Sequence, residues 1–177
     1  MSNNWRITSL SGALLAAYFI PTWATVAYHI IVAPVRGLYE RPSVSIALFL
    51  SDHLQLSSMT TVRFAWLLAL GRLTVVAFFV LFLLLALRAA IRKAGSGDEA
   101  LAIALGIGSV ISFASMIMAS QVGELEALRL HASELLVMLG TVVLMLFDAP
   151  AKEPVPANAG AASSELAFEP PQFGYHS

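Results

Sequence analysis

Cysteine is absent from this chain of 177 residues, and charged residues are scarce. Without cysteine there is no disulfide, no thiolate metal ligand and no thiol–disulfide chemistry, which excludes the four-helix disulfide-forming membrane oxidoreductases. Only 12% of the residues are charged, against roughly a quarter in a typical soluble domain. So few charges do not cover a globule of this size in water. The composition therefore predicts that a membrane is the solvent of this protein.

Clustered basic residues are also missing. The net charge is −1, and no face rich in Lys and Arg suggests nucleic-acid binding. The chain has no nucleotide-binding loop, no nucleophile triad and no zinc signature, and it matches no family motif. We therefore predict no nucleic-acid partner, no catalytic residue and no metal site, and a non-enzymatic role is favoured.

Long apolar runs are what the sequence has instead. A spanning helix needs about 20 mostly apolar residues, and hydrophobic residues make up 58% of the chain. No charge interrupts the run from Ile7 to Val35, which is too long for a cleavable signal and indicates a retained helix. The sequence predicts an all-α integral membrane domain over residues 1–148, a bundle of about four transmembrane helices at 10–33, 64–87, 100–121 and 127–147.

Two further regions do not fit the spanning pattern. The apolar stretch Val44–Leu50, in the long connection between the first two predicted helices, is too short to cross a bilayer. It predicts a short helix that lies at the interface or folds back over the bundle mouth. Residues 149–177 hold five of the eight prolines, among Ala, Gly and Ser. That composition predicts a disordered Pro/Ala-rich tail.

A group of ionisable residues occupies the helix ends that share one leaflet. These residues form a candidate intramembrane polar cluster of His29, Arg72, Glu124, His131 and Glu134. Such residues are costly in a membrane and usually face the protein interior with a partner. Steps of about 100° per residue place His131 and Glu134 on one flank of the fourth helix. We predict an Arg72–Glu134 pair between the second and fourth helices, with simple charge neutralisation as its alternative role.

The two intramembrane histidines suggest a cofactor. His29 and His131, on different helices in one leaflet, are candidate axial ligands of a b-type haem in a four-helix bundle. The alternative is that each hydrogen-bonds a neighbouring carbonyl or carboxylate. A quinone pocket is a related hypothesis, with Tyr18, Trp23 and Tyr28 as aromatic walls.

Small residues on the third predicted helix indicate close packing. They form two strips: Ala102, Gly106 and Ala114 on one, and Ala104, Gly108 and Ser112 on the other. Small side chains let helix backbones approach closely in a membrane. Gly106, Gly108 and Ser112 are therefore predicted helix-packing residues, and two strips predict contact on two sides, in the bundle centre or against another chain.

Three functions remain open. The first is a non-catalytic accessory, assembly or scaffold component of a larger membrane complex, with a protein partner or a second copy of the chain. The second is a haem- or quinone-binding electron-transfer protein built on His29 and His131. The third is an oligomeric transporter of a small solute or of protons, using Arg72 and Glu134.

The distribution of Lys and Arg predicts the orientation. With both termini on one side, that side carries five such residues: Arg6, Arg88, Arg92, Lys93 and Lys152. The opposite side carries four, or five if Arg72 reaches that face: Arg36, Arg41, Arg63 and Arg129. The count favours cytoplasmic termini in an inner or plasma membrane.

Overall fold

The computed structural model of the chain describes residues 7–88 and 96–148. Helices account for almost all of these residues, in the order α1 (Ile7–Val32), α2 (Pro34–Leu38), α3 (Val44–Asp52), α4 (Ser58–Leu87), α5 (Ser96–Val122) and α6 (Leu125–Asp148). The four long helices α1, α4, α5 and α6 are long and apolar enough to cross a membrane. The protein is therefore an all-α, multi-pass membrane protein with a four-helix bundle, as predicted. The predicted tail, 149–177, lies outside the described residues.

The spanning helices are longer than the apolar windows that predicted them. The largest difference is at α4, which begins at Ser58, whereas the apolar window begins at residue 64. Ser57 is its N-cap, and the Ser57 hydroxyl accepts from the Thr60 backbone N–H at 3.4 Å. A capping side chain satisfies one of the free N–H groups of a first helical turn. The first turn of α4 is therefore helical although most of its residues are polar.

The bundle is built from neighbours in sequence. α1 packs on α4, α4 on α5 and α5 on α6, whereas α1 and α6 make the sparsest contact of the adjacent pairs. The centre is aromatic and aliphatic: the Phe19 and Phe79 rings stack with their centroids 5.7 Å apart, beside Phe82 and Leu101. A four-helix bundle is thus closed tightly on three sides and loosely on the fourth.

The connection between α1 and α4 folds back on the bundle. α3 confirms the predicted short helix, and it packs against α5; Ile46 and Leu50 are fully buried. Gly37 lets α2 lie against α1, because a Cβ at this position would meet the Ile30 backbone nitrogen at 2.7 Å. This connection therefore covers the bundle at the end where α1 finishes and α4 begins.

The two small-residue strips of α5 have different environments. Ala104, Gly108 and Ser112 are buried, and a Cβ on Gly108 would lie 2.8 Å from the Met138 Sδ. Gly106, on the other strip, is exposed and would have no atom within 4 Å of an added Cβ. The strip with Gly108 therefore packs inside the bundle. Contact of the other strip with a second chain stays a prediction.

This difference gives a matched pair of substitutions. Gly108→Leu is expected to lower the free energy of unfolding by about 1–3 kcal/mol, because the new side chain collides with Met138. Gly106→Leu is expected to leave it unchanged or to raise it slightly, since leucine favours a helix more than glycine does. Unfolding of the purified protein in dodecyl sulfate, followed by circular dichroism, measures both. Equal losses would show that α5 packs on both strips within one chain.

Candidate functional site

Six buried side chains from five segments of the chain meet inside the bundle, and we call them the Glu134 cluster. They are Trp23 on α1, Ser43 before α3, Arg72 on α4, Ser112 on α5, and His131 and Glu134 on α6. None is more than 7% exposed. The cluster therefore joins all four spanning helices to the connection that covers the bundle mouth.

The Glu134 carboxylate is the centre of the cluster. Its Oε1 accepts from the Trp23 indole N–H at 3.2 Å, and its Oε2 accepts from the Ser112 hydroxyl at 3.2 Å. The His131 Nδ1 lies 3.0 Å from the same Oε2. Glu134 is nine residues beyond the first residue of α6, which is about 14 Å along the helix axis. A carboxylate at this depth requires such partners, because an unpaired charge there is strongly disfavoured.

His131 is held by both of its ring nitrogens. Its Nε2 lies 3.2 Å from the Pro42 carbonyl oxygen, and a carbonyl only accepts, so Nε2 carries a proton. The contact between Nδ1 and Glu134 then requires a second shared proton. The pair is either imidazolium with carboxylate or neutral imidazole with carboxylic acid. In both forms the charges of His131 and Glu134 sum to zero.

Arg72 does not touch Glu134. Its Nη1 donates to the Ser43 hydroxyl at 3.0 Å, and its guanidinium carbon lies 5.8 Å from the centroid of the Trp23 ring. No carboxylate of the described residues comes within 4 Å of the guanidinium. The predicted direct Arg72–Glu134 contact is therefore not formed, because Trp23 contacts both residues, with its N–H on Glu134 and its ring near the arginine.

The cluster carries a partly compensated positive charge. Arg72 is 3% exposed, and its Nε is buried with no hydrogen-bond partner among the described residues. Since His131 and Glu134 together are neutral, Arg72 leaves the cluster with a net charge of +1. The attraction of Glu134 through space and the Trp23 ring are what offset the burial of this cation.

Two of the five predicted cluster residues lie elsewhere. His29 is in the last turn of α1, where its Nδ1 lies 2.5 Å from the Glu40 Oε2, and both side chains are about two-fifths exposed. Glu124 follows Gly123, whose φ is +77°, in the turn between α5 and α6. Each of these two residues belongs to a helix end and not to the bundle interior. Arg72, His131 and Glu134 are the three that the structure brings together.

The geometry does not fit a haem site between His29 and His131. Axial ligation needs one free ring nitrogen on each histidine, directed at the iron across a gap. Both nitrogens of the buried His131 contact protein atoms, so this histidine has none free for iron; His29 uses only its Nδ1, on Glu40, but one ligand does not complete the pair. We expect no haem bands in the absorbance spectrum of the protein purified from haem-producing cells, oxidised and then reduced with dithionite. A sharp α-band on reduction would show that the bundle rearranges to bind haem.

Three members of the cluster were not among the predicted polar residues. Trp23 reads as a pocket wall or an interfacial anchor, and Ser112 reads as a packing residue. Ser43 lies in a connection whose path the sequence does not determine. The signal for Trp23 is its position nine residues before the end of α1, which is too deep for the headgroup belt where tryptophan usually anchors.

Comparison of this chain with protein-family models, with curated proteins and with solved structures gives no match. Within the described residues, no group of three His, Asp or Glu side chains could hold a metal ion. Function is therefore inferred from the Glu134 cluster and from the charges around the bundle.

Proposed function

We propose that this protein is a non-catalytic membrane protein that serves as an accessory, assembly or scaffold component of a larger membrane complex. The observation that supports it is how the Glu134 cluster uses its charged groups. Arg72 binds Ser43, His131 binds Pro42 and Glu134, and Glu134 binds groups on α1 and α5 as well. An active site instead directs several such groups at one substrate.

The contacts of the cluster suit a structural role. Buried polar groups stabilise one arrangement when they are satisfied and are costly when they are not. Here a single carboxylate fixes the position of α1 and α5 relative to α6, and His131 fixes the covering connection through Pro42. The bundle is thereby held in one register, as a component that presents fixed surfaces to a partner requires.

Purification in a mild detergent tests this proposal. We expect the tagged full chain, extracted from its native membrane, to co-migrate with other polypeptides at a fixed ratio through affinity and size-exclusion steps. The variant Gly106→Leu tests whether the partner contacts the exposed strip of α5. Gly106 is exposed on this helix and makes no contact whose loss would destabilise the chain itself. The proposal would be contradicted if several mild detergents each yielded the chain alone, with all of the expressed chain recovered without a partner.

The orientation proposed is cytoplasmic termini in an inner or plasma membrane. Arg72 is buried and bound to Ser43, so it does not add to the cations of either aqueous face. The comparison is then five Lys and Arg residues on the side of the termini against four on the other, which favours the termini inside.

Reporter fusions check this orientation. We expect a fluorescent reporter that matures only in the cytoplasm to be active when fused after residue 148. The same reporter inserted at Gln55, in the exposed turn between α3 and α4, is expected to be inactive. A second reporter, which is active only on the non-cytoplasmic side of the membrane, is inserted at the same two points and provides the reciprocal control. The opposite pattern would establish external termini.

A further inference from the structure

A cavity of about 490 Å³ lies between α1 and α6, where the adjacent spanning helices make their sparsest contact. Glu134 lines one end of it, and Ser11 and Thr141 line the other. The rim residues Leu14 and Tyr18 are exposed, at 67% and 47%. The cavity therefore opens on the outer surface of the helices, where lipid lies, and its volume is typical of a small-molecule site.

Glu134, Ser133 and Thr141 place hydrogen-bond acceptors on the α6 side of the cavity, and Tyr18 on the α1 side adds a phenol hydroxyl that can donate or accept. The Ser133 hydroxyl donates its proton to the Leu130 carbonyl at 2.8 Å, and the Thr141 hydroxyl donates to the Val137 carbonyl at 3.0 Å. Both hydroxyl oxygens therefore have only lone pairs left for a ligand. The Glu134 Oε1 accepts one hydrogen bond, from Trp23, and can accept another. A ligand that brings a hydrogen-bond donor therefore has an acceptor waiting at Glu134.

The charge of the Glu134 cluster determines which kind of donor fits. Arg72 is positive and the His131–Glu134 pair is neutral overall, so an ammonium head would add to the net positive charge of the site. An anionic head would lie against the acceptor oxygens of Glu134, Ser133 and Thr141, and any charge at this depth in the bilayer is costly. An uncharged hydroxyl head meets neither penalty.

We propose that this cavity binds an uncharged, hydroxyl-bearing amphiphile from the bilayer. Its hydroxyl donates to the Glu134 carboxylate, and its apolar body lies along Leu14, Phe19 and Val137. Two sources share this chemistry, a lipid with free hydroxyls such as a diglyceride and a reduced quinone. The binding site does not depend on the proposed scaffold function, and it gives the buried carboxylate a ligand-facing role in addition to its structural one.

Photocrosslinking to the purified full chain tests the site. The probe is a 16-carbon alcohol that carries a photoreactive diazirine, compared with the amine and the carboxylic acid of equal length. We expect the alcohol to label α1 and α6 around the cavity, and each charged probe to label them about tenfold less, since loss of one favourable polar contact has this magnitude. Competition with unlabelled diglyceride and with a quinol identifies the source.

Two neighbouring residues supply the matched variants. Val137→Trp adds a large ring to the cavity wall and is expected to abolish labelling by the alcohol. Leu136→Trp is the control, because Leu136 is 73% exposed and does not line the cavity. Leu14→Trp, at the exposed rim of the opposite wall, provides a second blocking variant. Labelling that is the same for all three head groups, or that survives both blocking variants, would overturn the proposal and indicate an acyl-chain groove only.

Discussion

Replacement of Glu134 with alanine is expected to lower the free energy of unfolding by about 3–5 kcal/mol, the magnitude for breaking a buried charged network. The Trp23 N–H, the Ser112 hydroxyl and the His131 ring would all lose their acceptor, and each of these side chains is buried. Arg72 would lose its compensating charge as well. Every spanning helix is attached to this network, so the loss should affect the whole bundle.

Two companion variants make this prediction specific. Glu134→Gln keeps an oxygen that can accept from Trp23. It is therefore expected to lower the free energy of unfolding by less, about 1–3 kcal/mol. Glu126→Ala removes a carboxylate from the same helix, but one that is 77% exposed and 3.9 Å from its partner Arg41, and its effect should be below about 1 kcal/mol. Unfolding in dodecyl sulfate, followed by circular dichroism, gives the three values. A loss for Glu134→Ala no larger than for Glu126→Ala would contradict the prediction.

The number and the approximate positions of the spanning helices follow from the sequence, because a bilayer demands long apolar segments and few other structures satisfy their backbone there. The polar ends of the helices were harder to predict. The N-cap at Ser57 makes α4 helical through a first turn that hydropathy leaves out. Local capping chemistry, and not apolar length, sets where that helix begins.

The composition of the Glu134 cluster was only half predictable. The spacing of His131 and Glu134 on one helix face follows from helix geometry, and the cost of burying Arg72 indicates that it needs a partner. The identity of that partner depends on the folding of a long connection and on the rotamer of Trp23, neither of which leaves a periodic signal. Arg72 therefore binds Ser43 and lies near the Trp23 ring, and it does not contact the Glu134 carboxylate.

Arg72→Met is expected to change the free energy of unfolding by less than about 1 kcal/mol, or to raise it, although Arg72 is as buried as Glu134. The guanidinium has one hydrogen bond to Ser43, an Nε without a partner and no carboxylate of the described residues within 4 Å. An apolar side chain of similar length removes this burial cost and leaves the neutral His131–Glu134 pair intact, and such replacements are often neutral or stabilising. Arg72→Lys is the control, because it keeps the charge but loses the planar group beside Trp23, and it should be less stable than Arg72→Met.

The double variant Glu134→Ala with Arg72→Met completes a double-mutant cycle with the two single variants. Once the carboxylate is gone, Arg72 is a buried cation with no counter-charge, so its removal should recover about 1–3 kcal/mol of what Glu134→Ala loses. Recovery would show that the charge of Arg72 and the carboxylate of Glu134 are energetically coupled. If instead Arg72→Met alone costs as much as Glu134→Ala, or if the double variant loses the sum of the two, then Arg72 is an independent structural residue and the cluster is not the positively charged unit described above.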